Sequence, residues 1–137
     1  MAPWAIAQGR TVAFVGADAP VRIHANAHAV EDAIRNLVEN GVLHSPPHGE
    51  VTVTVHRNGV SVADAGAGVP LQDRERIFDR FWRGKGPKTE GAGLGLAIVR
   101  ETMKAHGGHV AVTDNSGGGS VFTLVFPPNE EKPSAAA

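Results

Sequence analysis

Two asparagines, one aspartate and a run of alternating glycines are the residues of this chain best suited to chemistry. Asn36 and Asn40, within Asn36-Leu37-Val38-Glu39-Asn40, are four positions apart and project from neighbouring places on one helix face. Two amide oxygens so placed can help hold Mg²⁺, which favours oxygen ligands and keeps waters or phosphate oxygens beside them. The same pair also fits a solvated helix face, and Glu39 between them fits either a base or a solvated glutamate. Asp64 opens Asp64-Ala65-Gly66-Ala67-Gly68 at the end of a strand pattern. Its parity matches Val60 and Val62, so its carboxylate faces the core, where it needs donors. The glycines Gly66 and Gly68 leave room for a planar ligand, and an adenine amino group is a suitable donor. A turn with local hydrogen bonds is the alternative. Gly91, Gly93 and Gly95, in Gly91-Ala92-Gly93-Leu94-Gly95-Leu96, open a second helix. Glycine lets amides approach phosphate and a helix N-terminus favours anions, although a flexible loop has the same composition. Arg83, Lys85 and Lys88 lie just upstream and can close on phosphates or form a solvated lid. Metal, base edge and phosphates in this order read as an ATP site.

These groups need a scaffold. Thr11–Val15 and Val21–His24 read as short strands with a turn between them. Asn26 is an N-cap, after which Val30, Ala33, Ile34, Leu37 and Val38 form a helical stripe ending near Leu43 or His44, before Pro46 and Pro47. Glu50 to His56 alternates as a strand. Asn58-Gly59 is a two-residue hairpin signal, and Val60, Val62 and Asp64 lie on the returning strand. Leu71 to Trp82, after Pro70, reads as a short helix, and Arg83 to Glu90 as a loop. Leu94 to His106 is a helix closed by Gly107-Gly108. His109–Thr113 and Ser120–Phe126 are strands joined by a glycine-rich turn. Helices interleaved with hairpins predict an α+β chain: a two-layer α/β sandwich with a mixed, mostly antiparallel sheet covered on one face by three helices. The expected domain is 1–127, followed by a disordered tail at 128–137.

The chain has 137 residues, enough for one domain. A net charge of −1 gives no basic surface for nucleic acid or membrane. With no cysteine, disulfides and thiolate metal sites are excluded. No apolar run reaches the ~20 residues that span a bilayer. The beginning, Met1-Ala2-Pro3-Trp4, lacks the regions of a signal peptide. A cytoplasmic location follows as the expectation, within a parent that could be membrane-anchored. The histidines show no His-Glu-x-x-His pattern, and no Gly-x-Ser-x-Gly elbow or Walker loop is present.

Taken together, the segments resemble the catalytic, ATP-binding domain of sensor histidine kinases, part of a wider group shared with gyrase, Hsp90 and MutL. Asn36–Asn40 resembles its N box, Asp64–Gly68 its G1 box, Ile77–Arg83 its F box and Gly91–Leu96 its G2 box. Gly117–Ser120 resembles its last glycine segment, so the likeness runs from about Val21 to Pro127. The resemblance implies a Bergerat-type fold binding Mg-ATP between the N-box helix and a lid. Asn36 and Asn40 would then contact the metal and phosphates as the catalytic pair. Asp64 would bond the adenine amino group, and Gly66 and Gly68 would shape the base pocket. Gly91, Gly93, Leu94, Gly95 and Leu96 would meet the phosphates, with Arg83 and Lys85 as further phosphate contacts.

The chain departs from the family at two positions. Leu43 stands where a basic residue is usual, and Gly41 where alanine is usual, the latter expected to weaken the helix by up to ~1 kcal/mol. No His-Glu pair is present, so the phosphoacceptor histidine must come from elsewhere. The resemblance therefore implies a histidine-hairpin dimerisation domain as partner and, through the parent kinase, a response regulator. The isolated domain is expected to be a monomer without nucleic-acid or direct membrane contact. An anti-sigma-type serine kinase of the same superfamily and a degenerate nucleotide-binding or docking module are the alternatives.

Overall fold

The computed structural model describes residues 9–16, 25–79 and 95–128. The expected strand at Val21–His24, the lid over Arg83–Glu90 and the tail beyond 128 lie outside those residues. The strands are β1 (Thr11–Val15), β2 (Glu50–His56), β3 (Gly59–Ala63), β4 (His109–Asp114) and β5 (Ser120–Val125), in the order β1-β2-β3-β5-β4. β1 runs parallel to β2, and every other pair is antiparallel. A parallel neighbour needs a long crossover, and the first helix, α1 (Ala27–His44), lies within it.

Alternation decides which side of the sheet is covered. Val51, Val53, Val62, Phe122 and Leu124 share one face and are buried. Against them lie Ala33, Leu37, Val38 and Val42 of α1 and Ala97, Val99 and Met103 of α2 (Gly95–Ala105). Each large apolar side chain fully removed from water contributes about 1.5–3 kcal/mol, and together they fix both helices on this face. No helix among the described residues is long and apolar enough to cross a membrane.

The helix ends follow from local chemistry. The Asn26 side chain accepts from the Ala29 amide at 3.0 Å, capping α1 as expected. Its backbone N–H is bound in turn by His106 Nε2 at 3.0 Å, while His106 Nδ1 donates to the Thr102 carbonyl at 2.8 Å. One imidazole thus joins the start of α1 to the end of α2. Gly107, at φ +75°, lets its own N–H reach Lys104 O and that of Gly108 reach Met103 O, closing α2 with a Schellman pair.

Two local expectations change. Leu71–Trp82 is not one α-helix: its described part forms two 3₁₀ turns, Leu71–Asp73 and Arg76–Phe78. Within the described part the apolar face is short, because Leu71 is 77% exposed and, of residues 71–79, only Ile77 and Phe78 reach the core. Phe78 is anchored edge-on to Phe122 at 6.2 Å. With α1 and α2, these turns make up the helical layer on one face of the sheet. The hairpin turn is also displaced by one residue, since His56 pairs with Gly59 and Arg57-Asn58 form the loop. Gly59 serves packing rather than the turn: a Cβ there would overlap the Leu124 carbonyl on β5.

Candidate functional site

The polar groups gather along α1. Asn36, Glu39 and Asn40 are half-buried. Among the described residues, no hydrogen bond engages the side-chain amide of Asn36 or Asn40. Two unengaged amide oxygens one helical turn apart suit Mg²⁺ completed by phosphate oxygens and water. No three His, Asp or Glu side chains converge on one point among the described residues.

The start of α2 meets α1 at Asn36. A Cβ on Gly95 would stand 3.3 Å from Asn36 Oδ1, so the glycine lets the helix start approach the amide. Leu96 follows, half-buried against the core. Arg83, Lys85, Lys88, Gly91, Gly93 and Leu94 lie outside the described residues.

The other end of α1 meets the end of β3. Gly41 is buried, and a Cβ there would lie 3.2 Å from Val51 Cγ2 and 3.4 Å from Asp64 Cβ. The departure from alanine therefore has a packing reason: Val51 and Asp64 occupy the space. Gly66 abuts the His44 carbonyl, 2.5 Å from where its Cβ would stand. Along α1, Asn36 and the stretch Gly41–His44 are roughly 8 to 12 Å apart at 1.5 Å per residue.

Asp64 is the central polar group at this end. It is buried, with 4% of its surface exposed. Its Oδ1 accepts from the Gly66 amide at 2.9 Å and the Ser120 amide at 3.2 Å. Its Oδ2 has no hydrogen bond among the described residues. Burial pushes the carboxyl above its usual range, and the two amides and the nearby His44 only partly oppose this. The core-facing position expected from strand parity is therefore what the fold provides. Gly68, at φ +84°, turns the chain beneath the β4–β5 loop.

Several residues that hold this end carry no signal in the sequence pattern. The Asn115 amide donates to the Asp64 carbonyl at 2.8 Å, and the Ser45 hydroxyl accepts from the Ala65 amide at 3.2 Å. Arg74 donates to the Val69 carbonyl at 3.2 Å and to Asp114 at 2.6 Å, tying the loop after Gly68 to the end of β4. Arg10 donates to the Ser45 carbonyl at 3.1 Å through Nε. None could be read from periodicity, because each bridges segments distant in sequence.

Among the described residues, the helices lie on one side of a mixed sheet, and a carboxylate, two amides and glycines meet along one of them. The family described as "Histidine kinase-, DNA gyrase B-, and HSP90-like ATPase" matches residues 25–130, and the chain belongs to it. The sensor-like histidine kinase SenX3 of Mycobacterium tuberculosis is 38% identical over 122 residues, covering 82% of this chain and 30% of SenX3. The structure of the mycobacterial sensor histidine kinase MprB superposes with a TM-score of 0.72 at 29% identity, covering 85% of this chain and 83% of that one. Full-length ShkA in complex with AMPPNP superposes with a TM-score of 0.77 at 33% identity, covering 93% of this chain and 27% of ShkA. The chain thus spans less than a third of SenX3 and of ShkA.

Proposed function

We propose that this chain is the Mg-ATP-binding catalytic domain of a sensor histidine kinase. It delivers the ATP γ-phosphate to a histidine on a separate dimerisation and phosphoacceptor domain. The observation that carries this reading is Asp64: a buried carboxylate with one oxygen fixed by two amides and the other unengaged, beside glycines that leave room for a base. That oxygen accepts from the adenine amino group. Asn36 and Asn40 take the metal and phosphates, and the start of α2 at Gly95 and Leu96 takes phosphate oxygens through backbone amides. Gly91, Gly93, Leu94, Arg83 and Lys85 complete the phosphate end. Mg²⁺, when bound, neutralises charge on the phosphate oxygens. The chain's own residues orient the nucleotide, which is most of what phosphoryl transfer asks of a protein. The phosphoacceptor domain and, through the parent kinase, a response regulator are the partners. The domain alone is a cytoplasmic monomer.

Calorimetric titration with a non-hydrolysable ATP analogue, with and without Mg²⁺, tests the reading. Saturable binding strengthened by Mg²⁺ is expected, and Asn40→Ala is expected to remove most of the Mg²⁺ increment, about tenfold. A histidine-hairpin domain added with ATP should become labelled, whereas the chain alone should not. Rapid self-labelling of the chain would overturn the assignment.

Leu43, half-buried on the Asn36–Asn40 face, supplies a second test. Leu43→Lys places a cation where the family usually has one. It is expected to tighten Mg-ATP about tenfold through a charge-assisted phosphate contact, without changing adenosine affinity. The same calorimetry decides it: unchanged ATP affinity would mean that this position does not face the phosphates.

A further inference from the structure

The single peptide group between Asp64 and Ala65 is held at both ends by side chains from distant parts of the chain. Its carbonyl accepts from Asn115 Nδ2 at 2.8 Å, and its N–H donates to Ser45 Oγ at 3.2 Å. β3 ends at Ala63, so the ladder with β5 no longer serves this group: the last backbone bond is Asp64 N–H to the Ser120 carbonyl at 2.8 Å. A partly buried peptide without a strand partner needs other partners. Ser45 is 2% exposed and caps the C-terminus of α1, with its N–H donating to the Gly41 carbonyl at 3.0 Å. Asn115 is the first residue of the β4–β5 turn, which is closed by Asn115 N–H to Gly119 O and by Gly118 N–H to Asn115 O, both at 3.0 Å. Asn115 belongs to none of the segments that suggested chemistry from sequence, and the bonds that it and Ser45 make to this peptide involve its backbone atoms, not the Asp64 carboxylate.

We propose that Asn115 and Ser45 are positioning residues that clamp the Asp64–Ala65 peptide and so set the domain's preference for adenine over guanine. Loss of either hold would free the chain from Asp64 to Gly66, and with it the Gly66 amide that fixes Asp64 Oδ1. An adenine amino group donates to a correctly aimed Oδ2, whereas guanine presents a carbonyl oxygen at the same edge and is repelled. Fixed direction is therefore what converts a buried carboxylate into base discrimination. The buried setting that raises the Asp64 carboxyl is consistent with an oxygen held away from water.

The inference rests on Asp64 being the adenine contact, and the test separates the two. Affinities of the full chain for ATP, GTP and inorganic tripolyphosphate are measured for wild type, Ser45→Ala and Asn115→Ala. Asn115→Asp is the isosteric alternative that loses the donor if the alanine variant does not fold. Wild type is expected to prefer ATP. Each variant is expected to lose about tenfold of that preference, with tripolyphosphate affinity unchanged. A merely structural role would weaken ATP and GTP in parallel; that result, or an unaltered ATP:GTP ratio, overturns the inference. Equal binding of ATP and GTP by wild type would instead sink the adenine role of Asp64, and the clamp's purpose with it.

Discussion

Asp64→Asn is expected to abolish adenine recognition while making the unliganded domain more stable at neutral pH. Asparagine can keep both amide bonds to Oδ1, from Gly66 and Ser120, but turns an NH₂ donor toward the pocket where Oδ2 stood. Two donors then face each other, and ATP affinity is expected to fall about 100-fold or more. The stability gain follows from the direction of the carboxyl's shift. Its folded value is raised by burial, so the fold prefers the neutral form. Such a group contributes stability below its unfolded value, and that contribution is lost as pH rises through the raised folded value. Above the unfolded value the wild type bears the cost of a carboxylate that the fold disfavours, and the variant does not. The melting-temperature difference, variant minus wild type, is therefore expected to be positive at pH 7 and to shrink as pH falls into the ordinary carboxylate range. A variant less stable than wild type at pH 7 would contradict this account of the site.

The second large effect is expected at Gly119. The three consecutive glycines of the β4–β5 turn all have positive φ: +88° at Gly117, +115° at Gly118 and +106° at Gly119. A side chain at any of them is strained by about 1–2 kcal/mol. Only at Gly119 does a Cβ also overlap the Asp64 carbonyl; at Gly117 and Gly118 it meets nothing within 4 Å. Gly117→Ala therefore isolates the backbone strain, and Gly119→Ala adds the collision. Urea unfolding is expected to show a loss of about 1 kcal/mol for the first and about 3 kcal/mol or more for the second. Nucleotide binding should survive in Gly117→Ala and be lost in Gly119→Ala, because relief of the overlap must move Asp64. Equal effects of the two substitutions would show that the turn does not press on Asp64.

Much of this was legible from the sequence because periodicity encodes burial. The three-four spacing of Ala33, Leu37 and Val38 gave α1 and its buried face, and strict alternation gave β2 from Glu50 to His56. The parity of Val60, Val62 and Asp64 placed a carboxylate in the core. What failed to show depends on partners distant in sequence. The Asn58-Gly59 signal suggested a turn one residue late, because Gly59 answers to a carbonyl on β5. The segment after Pro70 has helix-compatible residues, but the apolar face of its described part is short, and that part settles into 3₁₀ turns. Ser45 and Asn115 reach the peptide after Asp64 across 20 and 51 positions, and no local pattern announces such bonds.

The holders of Asp64 come from α1's end, the loop after β3, and the β4–β5 turn. The pairing of β3 with β5 joins residues as far apart as Gly59 and Val125. Long-range closure of this kind is slow relative to hairpins and helices. A partly folded chain with both local hairpins formed would still lack the base pocket. On the proposed function, a nucleotide that needs the completed pocket would bind the native state alone and shift the folding equilibrium by the mass-action amount, ~2.7 kcal/mol at a hundredfold excess over Kd. ATP would then act as a thermodynamic guard on the finished domain rather than as a guide to its folding.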